Sequence, residues 1–208
     1  MDNEENNIKL ILVGGASGVG VTNLLDVYFG MSFQEGSITT NSPYSFEGEF
    51  NKGKKGKSEI YKLTFWDSGG GQDILRALKK PLILRCNIIL IVYSVIQRDS
   101  FENVEFWINC IKEIKNEVKD DKYIVALIAN KSDLFDSQVV SDEEGEKIAD
   151  KYGIEFLITS AKQDQKSFRI FVHSLITKYI ENYLNTNQEK KNGNEKHTGK
   201  KFVGCAGF

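Results

Sequence analysis

Apolar positions along this chain follow two alternating rhythms. Continuous runs at Lys9–Val13, Ile88–Tyr93 and Tyr123–Ala129, with a shorter one at Ile154–Ile158, lack the polar alternation of a strand with one wet face. They predict strands buried on both sides of a sheet. Between them, Phe101, Val104, Ile108, Ile111 and Ile114 recur at helical spacing across Ser100–Val118. A second stripe, Phe168, Phe171, Val172, Leu175, Ile176, Tyr179 and Ile180, predicts a last helix, and both stripes read as core. Tyr44–Phe50 and Glu59–Trp66 flank NKGKKGKS, which reads as an exposed hairpin turn whose lysines protect a sheet edge. Short strands alternating with longer helical segments predict an α/β fold with a largely parallel sheet.

Length and composition narrow this picture. The 208 residues suit one domain with a full core and a tail. The boundaries expected are a disordered N-terminus at 1–7, a domain at 8–183 and a disordered basic tail at 184–208, where too little apolar surface remains to offset ordering entropy. A net charge of −2 gives no reason to expect nucleic acid as a partner. The acidic start MDNEENN lacks the basic and apolar regions of a signal peptide, and the run Ile88–Val92 is far too short to span a bilayer. Cys86, Cys110 and Cys205 form no CxxC pair or disulfide framework; the first two read as buried thiols.

Candidate chemistry begins at VGGASGVGVTNLL. The phosphate-loop pattern GxxxxGK[ST] is met from Gly15 to Thr22 except that Val21 replaces the lysine. Strand, glycine-rich loop and helix come in the order a phosphate cradle requires, because successive N–H groups and a helix N-terminus then converge on one anion. Alone, such a loop also reads as a tight strand-to-helix turn. At Trp66–Gln72 the chain reads WDSGGGQ, where Asp67 is placed to hold a magnesium-bound water and a glycine N–H to meet a terminal phosphate. NKSD at Asn130–Asp133 and SAK at Ser160–Lys162 each follow a predicted strand.

With four signals in fixed order, the sequence resembles the Ras superfamily of small GTPases, and within it the Rab branch, over about Lys9 to Tyr183; VYSVIQRDSFENVEFW adds to the Rab likeness. The resemblance implies a three-layer fold, a six-stranded mostly parallel sheet with helices on both faces, that binds GTP/GDP with Mg2+. It implies that Gly15, Ala16, Ser17, Gly18, Val19, Gly20 and Val21 surround the phosphates, and that Gly70 and Gly71 lie near the terminal one. Thr22, Thr40 and Asp67 would serve magnesium, Thr40 lying 18 residues after Thr22. Asp133 would select guanine, Asn130 brace the loops, and Lys131 and Lys162 cover the base. The Ala161 N–H, presented after Ser160, would meet the guanine carbonyl, and Phe33 would pack on the ring.

The departures are as specific as the matches. No other residue of the loop replaces the lysine that bridges the β- and γ-phosphates, and reading from Gly14 puts Gly20 at its position. One glycine is inserted after Asp67, so that the family's catalytic glutamine falls on Gly71 counted forward and on Gln72 counted back from Tyr93. Gln72 is the candidate to orient the attacking water, and slow hydrolysis is expected. After Thr40 the chain reads NSPYSF, where Pro43 stiffens a segment that effectors of the family read.

In CAGF, Cys205 fits a CaaX lipidation box loosely. From Leu184 onward five lysines (Lys190, Lys191, Lys196, Lys200, Lys201) against Glu189 and Glu195 leave a net +3, a second membrane signal beside one prenyl chain. The expectation is a GTP/GDP-binding switch of vesicle traffic on the cytoplasmic face of an intracellular membrane, cycling with cytosol. Exchange factors, GTPase-activating proteins and effectors would engage residues near 33–50 and 67–85. The alternative is a pseudo-GTPase acting as a fixed binding module; an ATP-dependent kinase or ATPase is opposed by NKSD and SAK together.

Overall fold

The computed structural model describes residues 6–36, 44–54, 57–68 and 80–184. Six strands form one sheet in the order β2-β3-β1-β4-β5-β6. They are β1 (Asn7–Gly14), β2 (Tyr44–Lys54), β3 (Lys57–Asp67), β4 (Ile88–Ser94), β5 (Ile124–Asn130) and β6 (Glu155–Ile158). β2 runs antiparallel to β3, and every other pairing is parallel. The helices are α1 (Val21–Tyr28), α2 (Arg98–Glu102), α3 (Val104–Glu117), α4 (Asp142–Tyr152) and α5 (Gln165–Tyr179), and residues 80–85 are also helical.

The period-two pleat explains why the central strands are apolar throughout. Ile8, Leu10 and Leu12 of β1 join Leu90 and Val92 of β4 on one face, under Leu24 and Leu25 of α1 and Phe168, Val172 and Ile176 of α5. Ile11 and Val13 join Ile89, Ile91 and Tyr93 on the other, under Trp107, Ile108 and Ile111 of α3. The expected three-layer α/β architecture is therefore present, with helices on both faces.

Three local expectations change. The helix read across Ser100–Val118 is split at Asn103, whose side-chain amide donates to the Asp99 carbonyl at 2.9 Å; this back-bond to residue i−4 bends the chain between α2 and α3. The hairpin is longer than read, since β2 and β3 pair out to Lys54 and Lys57, consuming most of NKGKKGKS. β6 is an edge strand with half-buried residues, not one buried on both faces. Cys86 is 1% exposed and burial pushes its thiol up to about 12, but Cys110 is half-buried rather than buried.

Buried polar groups supply two tests of this packing. The Tyr93 hydroxyl is fully buried without a hydrogen-bond partner among the described residues, packed where a Cβ on Gly145 would meet it. An orphaned buried hydroxyl costs about 1–3 kcal/mol, so Tyr93→Phe is expected to leave stability unchanged or raise it by about 1 kcal/mol in urea unfolding. A clear loss would mean that the hydroxyl has a partner.

Lys115, 1% exposed, donates to the Cys86 carbonyl and to Asp120 Oδ2, both at 2.7 Å, tying the end of α3 to the start of β4. Partial burial opposes the Asp120 charge, yet hydrogen bonds from Lys115 and the Lys122 N–H outweigh it and hold the carboxyl below its ordinary 3.8. A depressed folded-state value gives stability that is full above the unfolded value and lost as pH falls through the folded one. Acid unfolding of the wild type should therefore steepen below that ordinary value, and Asp120→Asn should flatten that limb; identical acid limbs would remove Asp120 from the account.

Candidate nucleotide-binding site

The functional side chains lie just past the carboxyl ends of β1, β3, β5 and β6, where a ligand crevice forms beside a strand-order reversal. A cavity of about 300 Å³ runs there. The β1-to-α1 loop forms one end, the segment after β5 and the turn after β6 form the other, and Phe33 and Glu35 stand at its side.

Backbone close approach shapes the loop. The Gly15 N–H donates to the Val92 carbonyl at 2.8 Å, and a Cβ on Gly15 would overlap the Ser100 carbonyl oxygen. The loop thus sits directly on β4 and the start of α2. Gly20 caps α1 with φ +93°, a left-handed conformation that favours glycine, and a Cβ there would lie 2.5 Å from Asn130 Nδ2. Ala16, Gly18, Val19, Gly20, Val21 and Thr22 line the cavity. Gly15 and Ser17 are not among the lining residues, and the Ser17 carbonyl accepts from Gln97 Nε2 at 3.4 Å.

Val21 is 8% exposed and belongs to the apolar cluster of α1 and α5. It therefore presents methyl groups at the loop end of the cavity. Among the described lining residues the cations are Lys131 and Lys162, both contributed by the loops after β5 and β6.

Asn130, 1% exposed, joins three segments. Its Nδ2 donates to the Val19 carbonyl at 2.8 Å, and its Oδ1 accepts from the Ala161 N–H at 3.2 Å. The bracing role expected of Asn130 thus has a geometric counterpart, while the Ala161 N–H is already engaged and must be shared to reach a ligand carbonyl. Asp133 Oδ1 accepts from Ser160 Oγ at 2.6 Å, and that hydroxyl in turn accepts from the Lys162 and Gln163 N–H groups at 3.1 and 3.0 Å. Ser160 lies behind the cavity as an orienter of Asp133.

Lys131 adopts φ +67° and lines the cavity beside Gly20. Burial pushes its ammonium below the usual range, with the Asp133 charge opposing that shift. Lys162 Nζ lies 5.8 Å from the Phe33 ring centroid and 3.3 Å from Glu35 Oε1, so the two sides of this end meet over the cavity.

The fit to magnesium rests on two oxygens. Thr22 Oγ1 donates to Asp67 Oδ2 at 2.7 Å, and Asp67 is 1% exposed. A hydroxyl and a carboxylate side by side suit an ion that keeps most of its waters and takes few protein ligands. No group of three or more His, Cys, Asp or Glu able to hold a metal occurs among the described residues. One turn after Thr22, burial and then the Asp67 charge push the Asp26 carboxyl up.

Thr40, Gly70, Gly71, Gln72 and Cys205 lie outside the described residues. Sequence reasoning passed over Asn23, Gln34 and Glu35, which also line the cavity. Asn23 had a weak signal, a polar residue among the apolar positions of α1.

A mostly parallel sheet with a glycine loop at its switch point and an Asn–Lys–x–Asp turn beside it defines a P-loop nucleotide-binding class. The sequence profile of the Ras family matches residues 9–181. The Ras-like protein rasU of Dictyostelium discoideum is 30% identical, over 92% of this chain and 87% of that one. The Ras-related protein Rab-11B of the same organism is 35% identical, over 73% of this chain and 64% of its own length. The Ras-related protein Rab-26 of Rattus norvegicus is 32% identical, over 74% and 56%. The chain belongs to the Ras family of small GTPases and is Rab-like. Members of this family generally bind GTP or GDP with Mg2+ and work through regulators and effectors.

Proposed function

We propose that this protein is a guanine-nucleotide switch of vesicle traffic with slow intrinsic hydrolysis. The observation that carries the reading is the Asn130 network, which holds the phosphate loop, the Asp133 turn and Ala161 around one cavity. Asp133 carries the acceptor oxygens to pair with the N1–H and exocyclic amine of guanine. The Ala161 N–H faces the guanine O6, where adenine would present an amino group. Phe33 packs on the ring, and Lys131 and Lys162 cover the base.

Ala16 to Gly20 supply backbone donors for the phosphates, Gly15 setting the turn through its bond to Val92, and Thr22, Asp67 and Thr40 would hold magnesium. When bound, the ion neutralises charge on the β- and γ-phosphates. Hydrolysis is attack of water on the γ-phosphorus with departure of GDP. Gln72 orients the water, and a partner supplies the stabilising charge that Val21 does not.

Cys205 carries a prenyl group, which with the basic tail anchors the protein to the cytoplasmic face of an intracellular membrane. Regulators and effectors engage residues 33–50 and 67–85. No helix among the described residues is long and apolar enough to cross a membrane.

A second reading, a pseudo-GTPase serving as a fixed binding module, is favoured by the burial of Val21. The test is to identify nucleotide released from purified protein and to titrate GTP, GDP and ATP. Guanine binding that ATP does not displace supports the switch, whereas no guanine binding at millimolar concentration leaves the module. For the anchor, an unchanged membrane fraction in Cys205→Ser sinks the lipid assignment.

A further inference from the structure

The segment 33–36 borders the cavity, and what holds it there decides how a ligand leaves. Past α1 the Met31 N–H bonds to the Asp26 carbonyl at 2.8 Å, and the chain turns back along the helix. Gln34 then arrives beside Asn23. The Asn23 side chain, 7% exposed, donates from Nδ2 to the Gln34 carbonyl at 3.1 Å and accepts from the Gln34 N–H through Oδ1 at 2.9 Å. Both backbone groups of one residue are thereby held by one amide.

Other restraints on the segment are weaker or less directional. Phe33 is half-buried against the α1 and α5 cluster. The Lys162–Glu35 pair is exposed, with side chains 45% and 84% accessible; such pairs contribute about 0–1 kcal/mol. A reciprocal pair of bonds from an amide anchored in α1 is stronger and fixes position in two directions.

We propose that Asn23 is a positioning residue that straps segment 33–36 over the cavity and so sets the rate at which nucleotide leaves. The proposal rests on the guanine-nucleotide reading for its ligand, but the strap itself is a property of the chain. It assigns nucleotide retention chiefly to a mechanical lid at the base end, since the loop end has methyl groups where a cation would hold phosphate. Asn23 touches the backbone of Gln34, and its effect on the ligand passes through Phe33.

The experiment combines two readouts on wild type, Asn23→Ala, Phe33→Ala and the double variant. Amide hydrogen exchange without added nucleotide should show Gln34 protected in wild type and exposed in Asn23→Ala. Release of a fluorescent GDP analogue should be roughly tenfold faster in Asn23→Ala, the scale of one to two ordinary hydrogen bonds. In the Phe33→Ala background the same change should add less than twofold, because both substitutions open one lid. Full additivity, or equal Gln34 exchange in wild type and Asn23→Ala, overturns the strap. If Gln34 is protected by Asn23 but no variant binds a guanine nucleotide, the strap stands as structure, and its role in retention falls with the guanine reading.

Discussion

Val21→Lys is expected to raise affinity for GTP and GDP by about two to four decades. That is the span for restoring two charge-assisted hydrogen bonds at ~1.5–3 kcal/mol each, at ~1.4 kcal/mol per decade. The wild-type side chain packs in the apolar cluster at the edge of the cavity and is 8% exposed, so the lysine stem must leave part of that packing to reach the phosphates. Without nucleotide the ammonium has no phosphate to meet and the valine packing is lost, so the substitution should lower the unfolding midpoint. With saturating GDP the order should reverse, because binding stabilises the folded state by an amount that grows with the logarithm of affinity.

Titration calorimetry and thermal melts with and without GDP check both signs. Lower stability with no gain in affinity would show that the loop does not carry phosphates in this protein. Single-turnover hydrolysis then separates two defects. A variant that gains affinity without gaining rate places the block at the glycine inserted before Gln72.

Asn130→Ala is expected to destabilise the fold by about 2–6 kcal/mol, since it orphans the Val19 carbonyl and the Ala161 N–H in a buried position and each such group costs about 1–3 kcal/mol. It should also remove most guanine affinity, because the loop after β1 and the turn after β6 are held together through this one amide. Urea unfolding gives the first number and nucleotide titration the second. A loss of binding with unchanged stability would assign Asn130 to ligand contact alone. Asn130→Asp is a useful companion: it keeps an acceptor for Ala161 but sets a buried carboxylate oxygen against the Val19 carbonyl, so it should cost at least as much as Asn130→Ala.

The architecture was legible because the signal was redundant. Leu10, Leu12, Ile11 and Val13 are all apolar, and burial on both faces of β1 follows whichever face each takes. The split at Asn103 was not legible, since a side chain that returns to its own helix looks like any polar residue on a wet face. For the site, Gly15 to Thr22, Asn130 to Asp133 and Ser160 to Lys162 could be placed because each directly follows a strand. That Ser160 acts behind Asp133, and that Asn23 reaches Gln34 across 11 residues, are tertiary relations between polar residues without period or motif. The missing lysine was plain in the sequence; where the valine side chain would go required the packing of α1 and α5.

Gly15 is pressed against the Ser100 carbonyl and bonded to Val92. The curvature of the loop is templated by neighbouring backbone, so it does not depend on the side chain at position 21. A change at that position can exchange charge for methyl groups while the cradle keeps its form, and a single substitution can reverse it. The form of the loop and its chemistry are set by different residues.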